Sequence, residues 1–229
     1  MTSTRFVAGP SQSSMTRLRP TARKLAVEFI GTFFLMFTVG ASARAATSLA
    51  PLAIGGVLMV MVYAGGHISG GHYNPAVTMA ALVRSRIGVH DAIGYWIVQL
   101  TAGLLAAVVV GATISASPAR AFAPRGDAMT SALIVESLFT FALAYVVLNV
   151  ATSKDHADNS FYGLAIGFTV VVGAVSVGGI SGGVFNPAVL LGGAASGLLG
   201  WSTLIYLVPE VVGGVTAGLV FRALNPADK

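Results

Sequence analysis

The sequence predicts an all-α membrane protein with six transmembrane helices and two re-entrant half-helices, arranged as an inverted repeat. The first observation is the composition: the mean hydropathy of the 229 residues is +0.82, and 9% of them are charged. A soluble domain carries about 25% charged residues, so this chain has too little polar surface for water, and a bilayer is its natural solvent. The second observation is a motif that occurs twice, once in each half of the chain.

Six apolar segments approach or exceed the roughly 20 residues that a spanning helix needs. They cover residues 25–43, 49–66, 92–115, 128–152, 161–177 and 199–221. The small residues after the first segment resemble a signal-peptide cleavage site, but the five further segments favour a retained first helix. The uncharged stretch 160–209 is too long for one span, and its glycines and Asn-Pro pair divide it between the last two helices.

The predicted membrane domain lies between two polar tails. Residues 1–24 carry five basic residues and no acidic one, which is typical of a disordered tail. The membrane domain covers residues 25–222, with a first repeat at about 25–117 and a second repeat at about 128–222. Residues 223–229 form the second tail.

The distribution of basic residues predicts the orientation. With a cytoplasmic N-terminus, ten Lys and Arg residues lie inside and three lie outside. The positive-inside rule then places both termini in the cytoplasm. A net charge of +5 could also indicate a nucleic-acid partner, but the basic residues stand between spans or at the termini, which favours a topology signal.

Several chemical classes are disfavoured by residue content. The chain has no cysteine, which excludes disulfides, thiolate catalysis and cysteine-bound zinc. The four histidines form no metal-ligand set with nearby carboxylates, and His67 and His72 are the closest pair. No Ser-His-Asp set or carboxylate pair stands at a shared depth. We therefore expect no enzyme activity, no metal and no cofactor.

The duplicated motif occupies residues 67–77 (HISGGHYNPAV) and 179–189 (GISGGVFNPAV). Matching upstream strings begin at Glu28 and Glu136, and they stand 46 and 50 residues before the Asn of each copy. Two motifs in the same order are not a chance match between apolar helices. Because an odd number of spans precedes the second half, the halves enter the membrane from opposite sides.

Each copy ends in an Asn-Pro-Ala turn, where Asn is a strong helix N-cap and Pro is favoured at the first helical position. These turns predict half-helices at about 75–82 and 187–195, which are too short to span. Their N-termini would meet near the midplane, where both positive dipole ends repel a cation. The Asn amides would donate to a neutral solute, unless each Asn only caps its helix. The six motif residues are Asn74, Pro75, Ala76, Asn186, Pro187 and Ala188.

Two acidic residues inside predicted spans have two interpretations. An intramembrane acid is a functional-site hypothesis by default. Alternatively, Glu28 and Glu136 accept hydrogen bonds from the backbone of the re-entrant loops, which we favour, and Gln99 would serve likewise. Glu210 follows Pro209 where an apolar residue is expected, and the sequence does not choose between the pore, a subunit contact and a backbone group.

The chain from about residue 24 to 222 resembles the major intrinsic protein family, the aquaporins and aquaglyceroporins. The string GHISGGHYNPAVT at residues 66–78 is close to that of bacterial water channels. Further matches are Glu28, Gly31, Thr32, Phe33, Gln99, Gly103, Trp201, Tyr206 and Pro209. The resemblance implies passage of water and small uncharged solutes, one pore per subunit, usually a homotetramer, and a plasma or cytoplasmic membrane.

One position departs from the family pattern. The family normally has Arg three residues after the second Asn, as part of a narrow outer filter, and this chain has Val189. Counting without gaps, the other filter positions fall on Ile54, Ala174 and Gly183. All four are apolar or lack a side chain, which predicts a wider filter that passes water and also glycerol, urea or ammonia.

Two rival functions use the same sequence features. A secondary transporter also has inverted repeats and broken helices, but it usually needs coordinating carboxylates near the breaks, and we expect none beside either Asn-Pro-Ala. A non-conducting structural membrane protein of the same fold is the other alternative.

Overall fold

The computed structural model describes residues 20–115 and 121–228, so residues 1–19 of the predicted tail lie outside it. In the described residues the chain is helical, and Phe122 and Leu199 form the single isolated β-bridge. The α-helices are α1 Pro20–Arg44, α2 Ala50–Ser69, α3 Pro75–Val83, α4 Val89–Thr113, α5 Asp127–Thr152, α6 Tyr162–Ser181, α7 Pro187–Ala195 and α8 Leu207–Leu224. Short 3₁₀ segments cover Lys154–His156 and Trp201–Tyr206.

Within residues 20–115 and 121–228, six helical stretches are long and apolar enough to cross a bilayer, which confirms the predicted fold class. They are α1, α2, α4, α5, α6 and the continuous stretch Trp201–Leu224. Large apolar side chains on their outer faces, such as Ile97, Val108 and Val175, are at least 60% exposed. Such surfaces suit contact with lipid tails, because the bilayer is as apolar as these side chains.

The first helix begins earlier than the sequence suggested. It starts at Pro20, so residues 20–24 are helical instead of part of a disordered tail. Proline is favoured at the first helical position, and charge alone does not end a helix. Lys24 lies 3.6 Å from Asp91 at the start of α4, which ties this first turn to the bundle.

Two helix ends also differ from the prediction. Helix α6 continues to Ser181, past the expected end at residue 177, and stops where Gly182 adopts a left-handed φ of 94°. Helix α8 reaches Leu224, inside the predicted tail 223–229. It continues because nothing breaks the helix before the Asn-Pro pair that follows.

The half-helices lie inside the bundle, and glycines let their backbones approach the long helices. A Cβ on Gly103 of α4 would stand 2.5 Å from the carbonyl oxygen of Ala188 in α7. A Cβ on Gly214 of α8 would stand 2.4 Å from the carbonyl oxygen of Ala76 in α3. Small residues allow such close packing in membranes. Each half-helix therefore packs tightly against a long helix of the other repeat.

Candidate functional site

The loops that lead into α3 and α7 share one backbone conformation. In each loop, two successive glycines and an aromatic residue two positions later adopt left-handed φ angles. These φ angles are 92°, 64° and 47° at Gly70, Gly71 and Tyr73, and 94°, 66° and 50° at Gly182, Gly183 and Phe185. Glycine takes such angles without steric cost, whereas an aromatic residue there is a genuine outlier held by its surroundings. The duplicated sequence thus builds one loop twice.

Both turns end in an asparagine that caps its half-helix. The Asn74 Oδ1 accepts from the backbone N–H of Ala76 at 2.8 Å and of Val77 at 3.4 Å. The Asn186 Oδ1 accepts from the N–H of Ala188 at 2.9 Å. These bonds satisfy donors that a helix start leaves without an intrahelical partner.

The asparagine amides also link the two halves. The Asn74 Nδ2 donates to the carbonyl oxygen of Phe185 at 2.8 Å, and the Asn186 Nδ2 donates to that of Tyr73 at 3.0 Å. An Asn amide has two N–H donors, so one remains on each side chain for another acceptor. The N-terminal ends of the two half-helices therefore meet, and a reciprocal pair of hydrogen bonds joins them.

In the first half, Glu28 accepts hydrogen bonds from the loop before α3. Its Oε1 accepts from the Ser69 hydroxyl at 2.7 Å and the His72 N–H at 3.0 Å. Its Oε2 accepts from the Tyr73 N–H at 2.7 Å and from the Gln99 Nε2 at 2.9 Å. The carboxylate thus meets four donors in a buried site, which offsets part of the cost of burying it.

Glu136 has the corresponding contacts in the second half. Its Oε1 accepts from the Ser181 hydroxyl at 2.5 Å and the Val184 N–H at 3.0 Å, and its Oε2 accepts from the Phe185 N–H at 2.7 Å. The two loops are therefore held by matching acidic residues on α1 and α5.

Glu210 contacts a backbone group, which resolves the choice that the sequence left open. It is fully buried, and its Oε1 accepts from the backbone N–H of Asn186 at 3.0 Å. A carboxyl group therefore does stand beside the second Asn-Pro-Ala turn, and the sequence expectation of none there is wrong. It was missed because the contact joins residues 24 positions apart.

The two asparagines line a cavity of about 290 Å³. The four predicted filter positions, Ile54, Ala174, Gly183 and Val189, line the same cavity. So does His72, whereas the acidic residues that hold the loops do not. The described lining contains no Asp, Glu, Lys or Arg. The half-helix N-termini add positive backbone dipoles to it.

A second cavity of about 660 Å³ opens on the face where α1 begins. Its lining carries charged side chains, including Lys24, Arg86 and Asp91. His72 and Val147 line both cavities, so the cavities adjoin at these side chains. Together they extend from one face of the bundle past the paired asparagines.

Some lining residues were not predicted. His72 stands two residues before Asn74, and its ring Nδ1 lies 3.0 Å from the Thr78 hydroxyl, which fixes the ring at the junction of the two cavities. Its place in the repeated motif was the available signal. Phe122 lies in a connecting segment with no periodic pattern, and Leu199 stands at the predicted start of the sixth span. The isolated bridge brings them together beside the cavity.

The chain is similar to proteins of one known family. The model of the Major intrinsic protein family matches residues 16–221. The chain is 38% identical over 220 residues to Glycerol uptake facilitator protein-like 6 of Lactiplantibacillus plantarum, covering 90% of this chain and 100% of that protein. It is 33% identical over 222 residues to Aquaporin NIP1-1 of Zea mays, covering 92% of this chain and 77% of that one.

A solved structure has the same fold. The X-ray structure of the aquaglyceroporin from Plasmodium falciparum aligns with a TM-score of 0.75 at 22% identity, over 90% of this chain and 98% of that one. Family members are channels and not enzymes. The family model and the relatives show, and the shared fold supports, that this chain belongs to the major intrinsic protein family of membrane channels.

Proposed function

We propose that this chain is a passive channel for water and small uncharged solutes, with the pore running past Asn74 and Asn186. The observation that carries the proposal is the cavity into which both half-helix N-termini open, whose described lining holds no Asp, Glu, Lys or Arg. Each N-terminus carries about half a positive elementary charge, so the site disfavours cations. A neutral solute regains hydrogen bonds from the free amide donors, whereas an ion regains too little to replace its hydration.

The outer part of the pore is proposed to select loosely. Ile54, Ala174, Gly183 and Val189 line the cavity and offer apolar surface or none. Among the described residues of this lining none is Asp, Glu, Lys or Arg, so we infer passage of glycerol, urea or ammonia as well as water. The name of the Lactiplantibacillus relative makes glycerol the first solute to test.

The roles of the buried polar residues follow from their contacts. We assign Glu28 and Glu136 to loop support, because their carboxyl groups accept hydrogen bonds from the loop backbones. We assign Gln99 to the same role, because its amide donates to Glu28. The first turn of each half-helix is formed by buried Pro and Ala residues, namely Pro75 and Ala76 in α3 and Pro187 and Ala188 in α7.

The cellular arrangement rests on the sequence. We propose a membrane domain of residues 25–222 with two repeats, in the plasma or cytoplasmic membrane, with both termini in the cytoplasm. A homotetramer is proposed from the family resemblance. Basic residues next to the spans support the orientation.

Swelling of proteoliposomes tests the function. Vesicles containing the protein are mixed with an isosmotic solution of glycerol or urea, and light scattering follows solute and water entry. We expect faster swelling than in protein-free vesicles, with no dependence on an ion gradient. Flux that requires an ion gradient would indicate a transporter, and no acceleration with any solute would indicate a non-conducting protein.

A further inference from the structure

Gln99 and Glu210 occupy matching places in the two repeats. Gln99 lies four residues before Gly103, and Glu210 lies four residues before Gly214. These two glycines make the same close approach, each to the carbonyl oxygen of the Ala in an Asn-Pro-Ala turn. The residue that is a neutral amide in one half is therefore a carboxyl group in the other.

In the first half the amide supplies a donor to an acidic residue. The Gln99 Nε2 donates to the Glu28 Oε2 at 2.9 Å. In the second half, Glu136 accepts from one hydroxyl and two backbone N–H groups, and the amide donor is missing. Glu136 and Glu210 accept from consecutive backbone N–H groups, those of Phe185 and Asn186, so the two carboxyl groups are neighbours.

The surroundings of Glu210 do not suit a second negative charge. Its side chain is 0% exposed, and its Oε2 has no hydrogen-bond partner among the described residues. None of the ion pairs in the described part of the chain includes it. The half-helices α3 and α7 carry no titratable residue, and Glu136 and Tyr206 are the titratable groups that interact with it. Two like charges sharing a buried site are unfavourable, so such a pair holds one proton.

We propose that Glu210 carries this proton and is the neutral counterpart of Gln99 in the second repeat. The three donors already bonded to Glu136 favour its ionised form, which leaves the proton on Glu210. Its Oε1 still accepts from the Asn186 N–H. Glu210 is thus a positioning residue for the second Asn-Pro-Ala turn.

The proton matters for selectivity, and this consequence rests on the proposed function. A charged Glu210 would place a full negative charge beside the N-terminus of α7, where the helix contributes about half a positive charge. That charge would cancel the local barrier to cations. A protonated Glu210 accepts the hydrogen bond from the Asn186 N–H and leaves the barrier to cations in place.

Infrared spectroscopy of the reconstituted full chain tests the proton directly. Wild-type protein is expected to show the C=O stretch of a buried protonated carboxylic acid at neutral pH, and Glu210→Gln to lose it. The matched variant Gln99→Glu puts the same acid in the other repeat and is expected to add a second such band. A wild-type spectrum without a band that Glu210→Gln removes would overturn the proposal, even if the protein conducts no solute.

Measurements of water flux and cation leak distinguish a neutral Glu210 from a charged one. Glu210→Gln keeps a donor and an acceptor, so we expect water flux and cation exclusion to stay within twofold of wild type. Glu210→Leu removes the acceptor of the Asn186 N–H and is expected to lower water flux severalfold. A large change in cation leak in Glu210→Gln would mean that wild-type Glu210 is charged, and it would contradict the proposal.

Discussion

Asn74 and Asn186 hold each other's loops: each amide donates to the carbonyl of the residue just before the other asparagine, at 2.8 and 3.0 Å. The two bonds join residues more than 100 positions apart, one from each repeat. Neither amide can be oriented in this way until both half-helices are in place. The centre of the proposed pore is therefore assembled jointly by the two repeats.

Replacing Asn186 with Ala removes both a helix cap and a cross-link. The N–H of Ala188 and the carbonyl of Tyr73 lose their partners. Loss of the cap and an unsatisfied buried group together cost roughly 2 kcal/mol or more. We expect a lower melting temperature in detergent and a larger cation leak in vesicles. Asn225→Ala, at the far end of α8, is the matched control, and equal losses in both variants would argue against this role.

Replacing Gly214 with Ala places a methyl group 2.4 Å from the backbone carbonyl of Ala76. The half-helix α3 would have to move, and overpacking of this kind costs about 1–3 kcal/mol. We expect a lower melting temperature and reduced water flux. Gly111→Ala is the control, because an added Cβ there meets nothing within 4 Å. A Gly214→Ala protein as stable and active as wild type would show that the close approach is unimportant.

Asp228 near the C-terminus provides a test by pH. Its side chain accepts from the backbone N–H of Lys154 at 3.0 Å and pairs with the buried Arg84 guanidinium at 2.8 Å. The hydrogen bond from the Lys154 N–H, and then the bond and charge of Arg84, hold the pKa of Asp228 below its usual value. A lowered pKa in the folded state means that the attachment contributes fully above about pH 4 and is lost as the pH falls below that value.

We therefore expect protease sensitivity of the C-terminal segment to rise when vesicles are acidified below about pH 4. Asp228→Asn should show the raised sensitivity at neutral pH already. Asp155→Asn is the control, since that side chain is exposed. If Asp228→Asn kept the wild-type pH profile, the ion pair would not be what holds the segment.

Replacing Val189 with Arg tests the proposed outer filter. The side chain lines the cavity with Ile54 and Ala174, so a long cationic group there narrows the passage. We expect glycerol and urea permeability to fall roughly tenfold or more, the scale of about 1–3 kcal/mol in differential contact. Water permeability should fall less. Val189→Leu, which stays apolar, should keep the solute preference, and unchanged glycerol flux in Val189→Arg would show that the filter lies elsewhere.

Local signals in the sequence located the half-helices well. Asn and Pro at a helix start, preceded by paired glycines, are local rules, and α3 and α7 begin at Pro75 and Pro187 as predicted. The start of α1 at Pro20 was missed because charged residues near a bilayer edge do not reveal where a helix begins.

Contacts between segments far apart in the chain could not be predicted from the sequence. The bond from the Asn186 N–H to Glu210 and the place of Phe122 beside the cavity depend on how the repeats pack together. The repeat in the sequence could have shown that Glu210 and Gln99 hold equivalent positions, but only the close contacts of Gly103 and Gly214 establish that alignment. Periodicity and motif spacing thus predict the elements, and tertiary packing decides the support around the site.

Stopped-flow light scattering of proteoliposomes in a sucrose gradient, with a pH-sensitive dye inside, tests whether this chain passes water while excluding protons. We expect the protein to accelerate osmotic shrinkage severalfold over protein-free vesicles, while internal pH decays no faster under an imposed proton gradient. Shrinkage at the protein-free rate, or a proton leak that rises in proportion to the protein content, would contradict it.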